Sequence, residues 1–187
     1  MPMWNTVSSS FVSQIQDKVL YDFVQVESLP ITSAEKIQTM EIEFDGAVHT
    51  IERNVVENEE TEEETEAETE VEEPTWLYFI DDKQQIKDPD ANDTLGLNLA
   101  QALVGMRIED CVDYNGTEDE LADFGLENPA MRITYTFLDD EEVLQSVTLY
   151  VGNTSEDATF YYVVSSDSKA INTISADSID GILGYFE

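Results

Sequence analysis

Carboxylates apart, few side chains in this chain could carry chemistry: one histidine, His49, one cysteine, Cys111, and eight lysines and arginines. A histidine serves as general acid or base when a second reactive group stands beside it, and a cysteine becomes a nucleophile when a histidine or cation lowers its pKa. The sequence supplies neither setting. His49 falls on the apolar side of an alternating run and reads as a packed, hydrogen-bonded core or rim residue. Cys111 has no basic neighbour beyond Arg107 and reads as an inert packed thiol. What remains is 42 Asp and Glu. Paired carboxylates hydrolyse bonds when burial or a close like charge raises one pKa, and no acid here is singled out by an apolar setting. No G-x-S-x-G, P-loop, H-E-x-x-H or G-x-G-x-x-G spacing occurs. The expectation is a chain with no catalytic, cofactor-binding or metal-binding residue that acts by contact. The candidate interaction residues are Tyr161 and Tyr162, which point to opposite faces of one strand, so that one of them should be exposed. A carboxylate-based hydrolase is the enzymatic alternative, and an acidic surface that binds divalent cations weakly is another.

These residues must be positioned by strands and short helices. Thr39–Phe44 alternates Met40, Ile42 and Phe44 with polar residues, and Asp45-Gly46 is a two-residue hairpin signal. The return strand then sets Phe44 opposite Ala47, Ile42 opposite His49 and Met40 opposite Ile51. Trp76–Ile80 reads as a strand, Asp81–Ala91 as a polar loop, and Asp93 or Thr94 as the cap of a helix whose packed stripe is Leu95, Leu99, Ala102, Leu103 and Met106. Arg107–Tyr114 reads as a brief strand. Thr117-Glu-Asp-Glu120 has the form of a capping box, Gly125 ends the short helix it starts, and Pro129 forbids its continuation. Met131–Leu138 follows as a half-buried strand, paired with Val143–Val151 across the turn Asp139–Glu142, and Gly152-Asn153 is expected to break that second strand. Thr159–Val164 and Lys169–Ile174 form another hairpin. A last helix, capped near Ser175 or Asp177, presents Ile179, Ile182, Leu183 and Phe186 to the sheet.

Phe124-Gly-Leu-Glu-Asn-Pro129, Leu149-Tyr-Val-Gly152 and Phe160-Tyr-Tyr-Val163 together resemble the bacterial domain of unknown function numbered 4340, with upstream likeness in 41–53 and 76–78. The resemblance spans most of 29–187. It implies a cell-envelope protein, anchored in the membrane by an N-terminal segment that this chain lacks, and in some members similarity to auxiliary proteins of gliding-motility-type ABC exporters. It carries over no catalytic residue.

Charge excludes other classes. A formal net charge of −34 repels phosphate backbones and anionic membrane surfaces, which argues against nucleic acid; a protein partner in the envelope is what the resemblance implies. One cysteine excludes an intrachain disulfide and a cysteine-based zinc cluster. No apolar run approaches the roughly 20 residues of a membrane-spanning helix. Glu57–Glu73 holds eleven glutamates with no basic residue or proline, and reads as a disordered, solvated loop between two strands. Asn5-Thr-Val-Ser-Ser-Ser10 with the apolar residues after it resembles Asn172-Thr-Ile-Ser-Ala-Asp177 with those that follow there, so 1–28 reads as the closing strand and helix of a preceding repeat unit. The rest, 29–187, reads as one β-rich unit in two halves, 29–114 and 115–187. The fold class is α+β: mainly antiparallel sheets with packed helices, built from repeated strand-hairpin-plus-helix units.

Overall fold

A computed structural model describes residues 29–30, 33–54, 75–85 and 89–186; the repeat read in 1–28 and the acidic loop read in 57–73 lie outside them. The described chain forms one nine-stranded antiparallel sheet with three α-helices. In chain order these are β1 (Ile37–Phe44), β2 (Ala47–Asn54), β3 (Thr75–Ile80), β4 (Lys83–Gln84), α1 (Pro89–Gly105), β5 (Ile108–Asp113), α2 (Glu118–Asp123), β6 (Met131–Leu138), β7 (Leu144–Thr154), β8 (Phe160–Ser165), β9 (Ile171–Ser175) and α3 (Ala176–Leu183). The strands lie in the order β4-β3-β2-β1-β6-β7-β8-β9-β5.

The hairpin residues dictate the first register. Asp45 and Gly46 both take positive φ, 50° and 78°, the turn whose twist matches that of the flanking strands. Phe44 therefore pairs with Ala47, Ile42 with His49 and Met40 with Ile51, as the alternation requires. The same side of the sheet continues through Ile133, Tyr135, Leu149, Val151, Val163 and Ile174, and α1 and α3 cover it with Leu99, Leu103, Ile179 and Ile182. The other side is covered at its β8–β9 end by α2 and the turn after it, through Leu121, Phe124 and Leu126 against Val164 and Ile171. Over β1, β6 and the near half of β7 it carries Thr39, Glu41, Thr134, Thr136 and Thr148, with hydroxyl pairs Thr39–Thr136 at 2.7 Å and Thr134–Thr148 at 3.0 Å.

Three expectations need correction. The helix α1 begins at Pro89, not at a cap on Asp93 or Thr94. Proline fits the first helical turn because its missing N–H is not needed there, and the Asp93 carboxylate instead accepts the Trp76 backbone N–H at 2.6 Å, on the open side of β3. Asp81-Asp82 is a tight turn with both φ values positive, 48° and 60°, which folds Lys83–Gln84 back as β4 where a loop was expected. Gly152-Asn153 does not break β7, which runs on to Thr154 past a register shift between Val151 and Thr154. The shift is a bulge, and its physical reason is the neighbour. Phe124 O accepts from Asn153 N at 2.8 Å, and a Cβ on Gly152 would collide with that same oxygen. The cap residue Gly125 lies against the Asn153 side chain with φ +72°, as its position after α2 required.

Candidate functional site

The turn from Leu121 to Ala130 is held before any ligand arrives. Thr117 and Glu120 satisfy each other as a capping box, Leu126 N donates to Leu121 O at 2.7 Å, and the β7 bulge docks beneath Phe124. A rigid turn laid along a sheet leaves a groove at its margin. One cleft of about 300 Å³ is lined by Leu121, Leu126, Glu127, Pro129, Arg132, Tyr150, Val164, Ser165, Ser166 and Ser168. An adjoining cleft of about 140 Å³, sharing Pro129 and Arg132, is lined by Glu43, Phe44, Asp45, Gly46 and Ala130.

The floor of both clefts is a single transverse row. Val164 on β8 pairs with Tyr150 on β7, Tyr150 with Arg132 on β6, and Arg132 with Glu43 on β1, so each strand contributes one side chain. Arg132 Nη1 donates to Glu43 Oε2 at 3.0 Å, with the two side chains 48% and 43% exposed. The serine hydroxyls at the far end are engaged: Ser166 Oγ accepts from Thr148 N on β7 at 3.1 Å, and Ser168 Oγ accepts from Ala170 N within its own turn at 2.9 Å. The groove thus offers hydroxyls and apolar walls at one end, Tyr150 at its middle and an ion pair beside Asp45 at the other.

The residues weighed for chemistry lie elsewhere. His49 is on the opposite side of the sheet, 8% exposed, with Nδ1 2.7 Å from the Tyr78 hydroxyl. Its ring stacks on Phe44 at 4.8 Å and lies 4.5 Å from Phe186. Burial lowers its pKa, with the Asp81 carboxylate partly opposing, so it is held neutral as a core residue would be. Cys111 is half-buried on β5 opposite Asn172. Among the described residues, no three His, Cys, Asp or Glu side chains gather as a metal site would. Asp139 and Asp157 are held below the ordinary carboxylate range. Val143 N and the Gln145 amide do this for Asp139, and the Ser155 and Thr159 hydroxyls for Asp157, the direction opposite to that of a general acid.

Tyr161 and Tyr162 do point to opposite faces, but neither stands exposed. The Tyr161 hydroxyl donates to Asp180 Oδ1 on α3 at 2.9 Å. Tyr162 packs 4.4 Å from Phe124 and 5.6 Å from Phe160. The reason is the two-sided cover of β8, helices on one face and the α2 turn on the other, which a strand read in isolation does not disclose. The aromatic on the floor of the groove is Tyr150, which the sequence reading missed as a site residue. Its signal was available only as cross-strand register, Arg132 to Tyr150 across the Asp139–Glu142 turn.

In comparisons with known proteins, the family model described as Domain of unknown function (DUF4340) matches residues 92–183, which takes in most of α1, the α2 turn and strands β5–β9 and stops short of the upstream segments 41–53 and 76–78. No curated protein and no solved structure matches the chain.

Proposed function

As residues 92–183 make this chain a member of the DUF4340 family, we propose that it is a non-catalytic interaction module that holds a protein partner in the groove floored by Val164, Tyr150, Arg132 and Glu43. The carrying observation is the separation of two things an enzyme would bring together. The groove gathers hydroxyls, an aromatic ring and an ion pair, while the single histidine lies buried on the reverse of the sheet. A serine in the groove has no imidazole to take its proton, and Glu43 is committed to Arg132. Binding needs neither. The turn that walls the groove is fixed by its own hydrogen bonds, so a partner meets a preformed surface and little ordering cost is added on association.

The family resemblance supports a place at the bacterial cell envelope, outside the cytoplasmic membrane, as a scaffold in a complex that in some relatives accompanies an ABC exporter. The likeness between 5–10 and 172–177 supports a chain built from repeated strand-and-helix units, of which 29–187 is one. The test is capture from envelope membranes with this chain as bait. Ser166→Trp, which on the exposed side of the strand end fills the far end of the groove, and Arg132→Glu, which sets two acids side by side on its floor, should each lower capture at least about tenfold, the scale of losing a central contact. Unchanged capture by both variants, with native circular dichroism, would overturn the reading.

A further inference from the structure

Resting on that binding reading, we infer that the groove takes an extended cationic peptide, with an apolar side chain at the Leu121–Leu126 end and a lysine or arginine about four residues away at the Glu43–Asp45 end. The length follows from the sheet. Neighbouring strands stand ~4.8 Å apart, so the four positions from Val164 to Glu43 span ~14 Å, and an extended chain rising ~3.3 Å per residue covers that distance in about four rises, which also returns the two end side chains to the same face. The direction of recognition follows too. The ligand lies across the strands and cannot add to a sheet edge, so side chains must hold it.

The chemistry changes along the row. At the β8 end, Leu121, Leu126 and Val164 offer an apolar seat. At mid-groove, the Arg132 guanidinium gives one N–H to Glu43, and its remaining donors are available to peptide carbonyls, as is the Tyr150 hydroxyl. At the β1 end, Glu43 accepts Arg132 through Oε2, and the cleft that its carboxylate lines is lined by Asp45 on the turn as well. A peptide cation placed there completes a three-membered charge row, acid between two bases, with Asp45 as a second acceptor. An anionic peptide would have to displace Glu43 from Arg132 while passing Glu127 and Asp45. The net charge of −34 adds a long-range field that draws in cations and turns away anions.

Titration of the ¹⁵N-labelled chain with acetyl-Leu-Ala-Ala-Ala-Lys-amide and its reversed sequence, against the same peptides bearing Glu or Gln in place of Lys, tests this by amide shifts. The expected result is shifts confined to Glu43, Arg132, Tyr150 and 165–168 with a Lys peptide, weakening as salt is raised. Glu43→Gln combined with Asp45→Asn should reduce that affinity about tenfold, both positions being surface sites whose change leaves the spectrum dispersed. Equal shifts with the Glu or Gln peptides would overturn the cationic assignment. No shift along the row with any peptide, while Ser166→Trp and Arg132→Glu still lower capture from membranes, would overturn the peptide assignment and leave the binding surface standing. Failure of both experiments would remove both readings.

Discussion

Tyr135 is 1% exposed and its hydroxyl has no hydrogen-bond partner among the described residues, while burial, with the Asp167 charge adding, pushes its pKa up to about 12. A buried hydroxyl without a partner loses its water and gains nothing in return. Tyr135→Phe should therefore stabilise the fold by about 1 kcal/mol, raising the thermal midpoint by roughly 2–4 °C for a chain of this size. A drop in the midpoint would show that the hydroxyl is satisfied in solution. His49 gives a pH dependence of definite sign. Its pKa is lowered from 6.5 by burial, so below that value the unfolded chain takes up a proton that the folded chain resists. The stability contributed by the neutral ring is complete above 6.5, is lost as pH falls below it, and the loss levels off beneath the folded pKa. Because protonating carboxylates also relieves repulsion, the informative quantity is a difference. Between pH about 7.5 and about 5, the wild type should lose more of its thermal midpoint than His49→Phe, whose ring can stack on Phe44 without titrating. Parallel profiles would mean that His49 is solvated.

The helices α1 and α3 each contain a glycine whose meaning differs. Gly96 faces Trp76, and a Cβ there would run into the indole, whereas Gly181 on α3 has nothing within 4 Å. Gly96→Ala should cost on the order of 1–3 kcal/mol by forcing α1 off β3, in spite of the better helix former. Gly181→Ala should gain about 0.5–1 kcal/mol. Chemical denaturation of the two variants checks the contrast, and a stable Gly96→Ala would mean that α1 rides looser on the sheet than its packing implies. The same elements mark how far the sequence was legible. Asp45-Gly46 announced its turn and with it the register that buries His49, and Thr117, Glu120 and Gly125 announced both ends of α2. Each of those signals is local. The start of α1 was misread because Asp93 has the composition of a cap but is engaged by Trp76, a residue distant in sequence. The course of β7 was misread because Gly152 ordinarily interrupts a strand, and only the approach of Phe124 explains why it is needed within one. The groove was illegible for a stronger reason. Its floor draws one residue from each of four strands, and its wall from a turn whose motif predicted a boundary, with nothing to say which face it would cover.

The strand order ties the two halves of the chain together. β5 follows α1 in sequence but lies at the far edge beside β9, and β1 lies between β2 and β6. A fragment ending at residue 114 would thus hold β5 without its partner and β1 with one side open. Such a fragment should show no cooperative thermal transition, while the whole chain unfolds in a single one. Two separate transitions in the whole chain would show that the halves fold as independent units. Both edges of the sheet are guarded. At one, β4 is only two residues long, and on the stretch of β3 that it leaves uncovered Asp93 takes the Trp76 N–H; at the other, β5 carries register shifts together with Glu109, Asp110 and Asp113. The pairing of Asn54 with Thr75 closes β2 onto β3 at the point where the sequence enters and leaves its glutamate-rich stretch. Whatever is spliced between those two residues hangs from one spot and leaves the register of both strands alone. To a protein engineer that is a socket: a reporter domain with neighbouring termini could be plugged in there, and the groove on the sheet would stay open to its ligand.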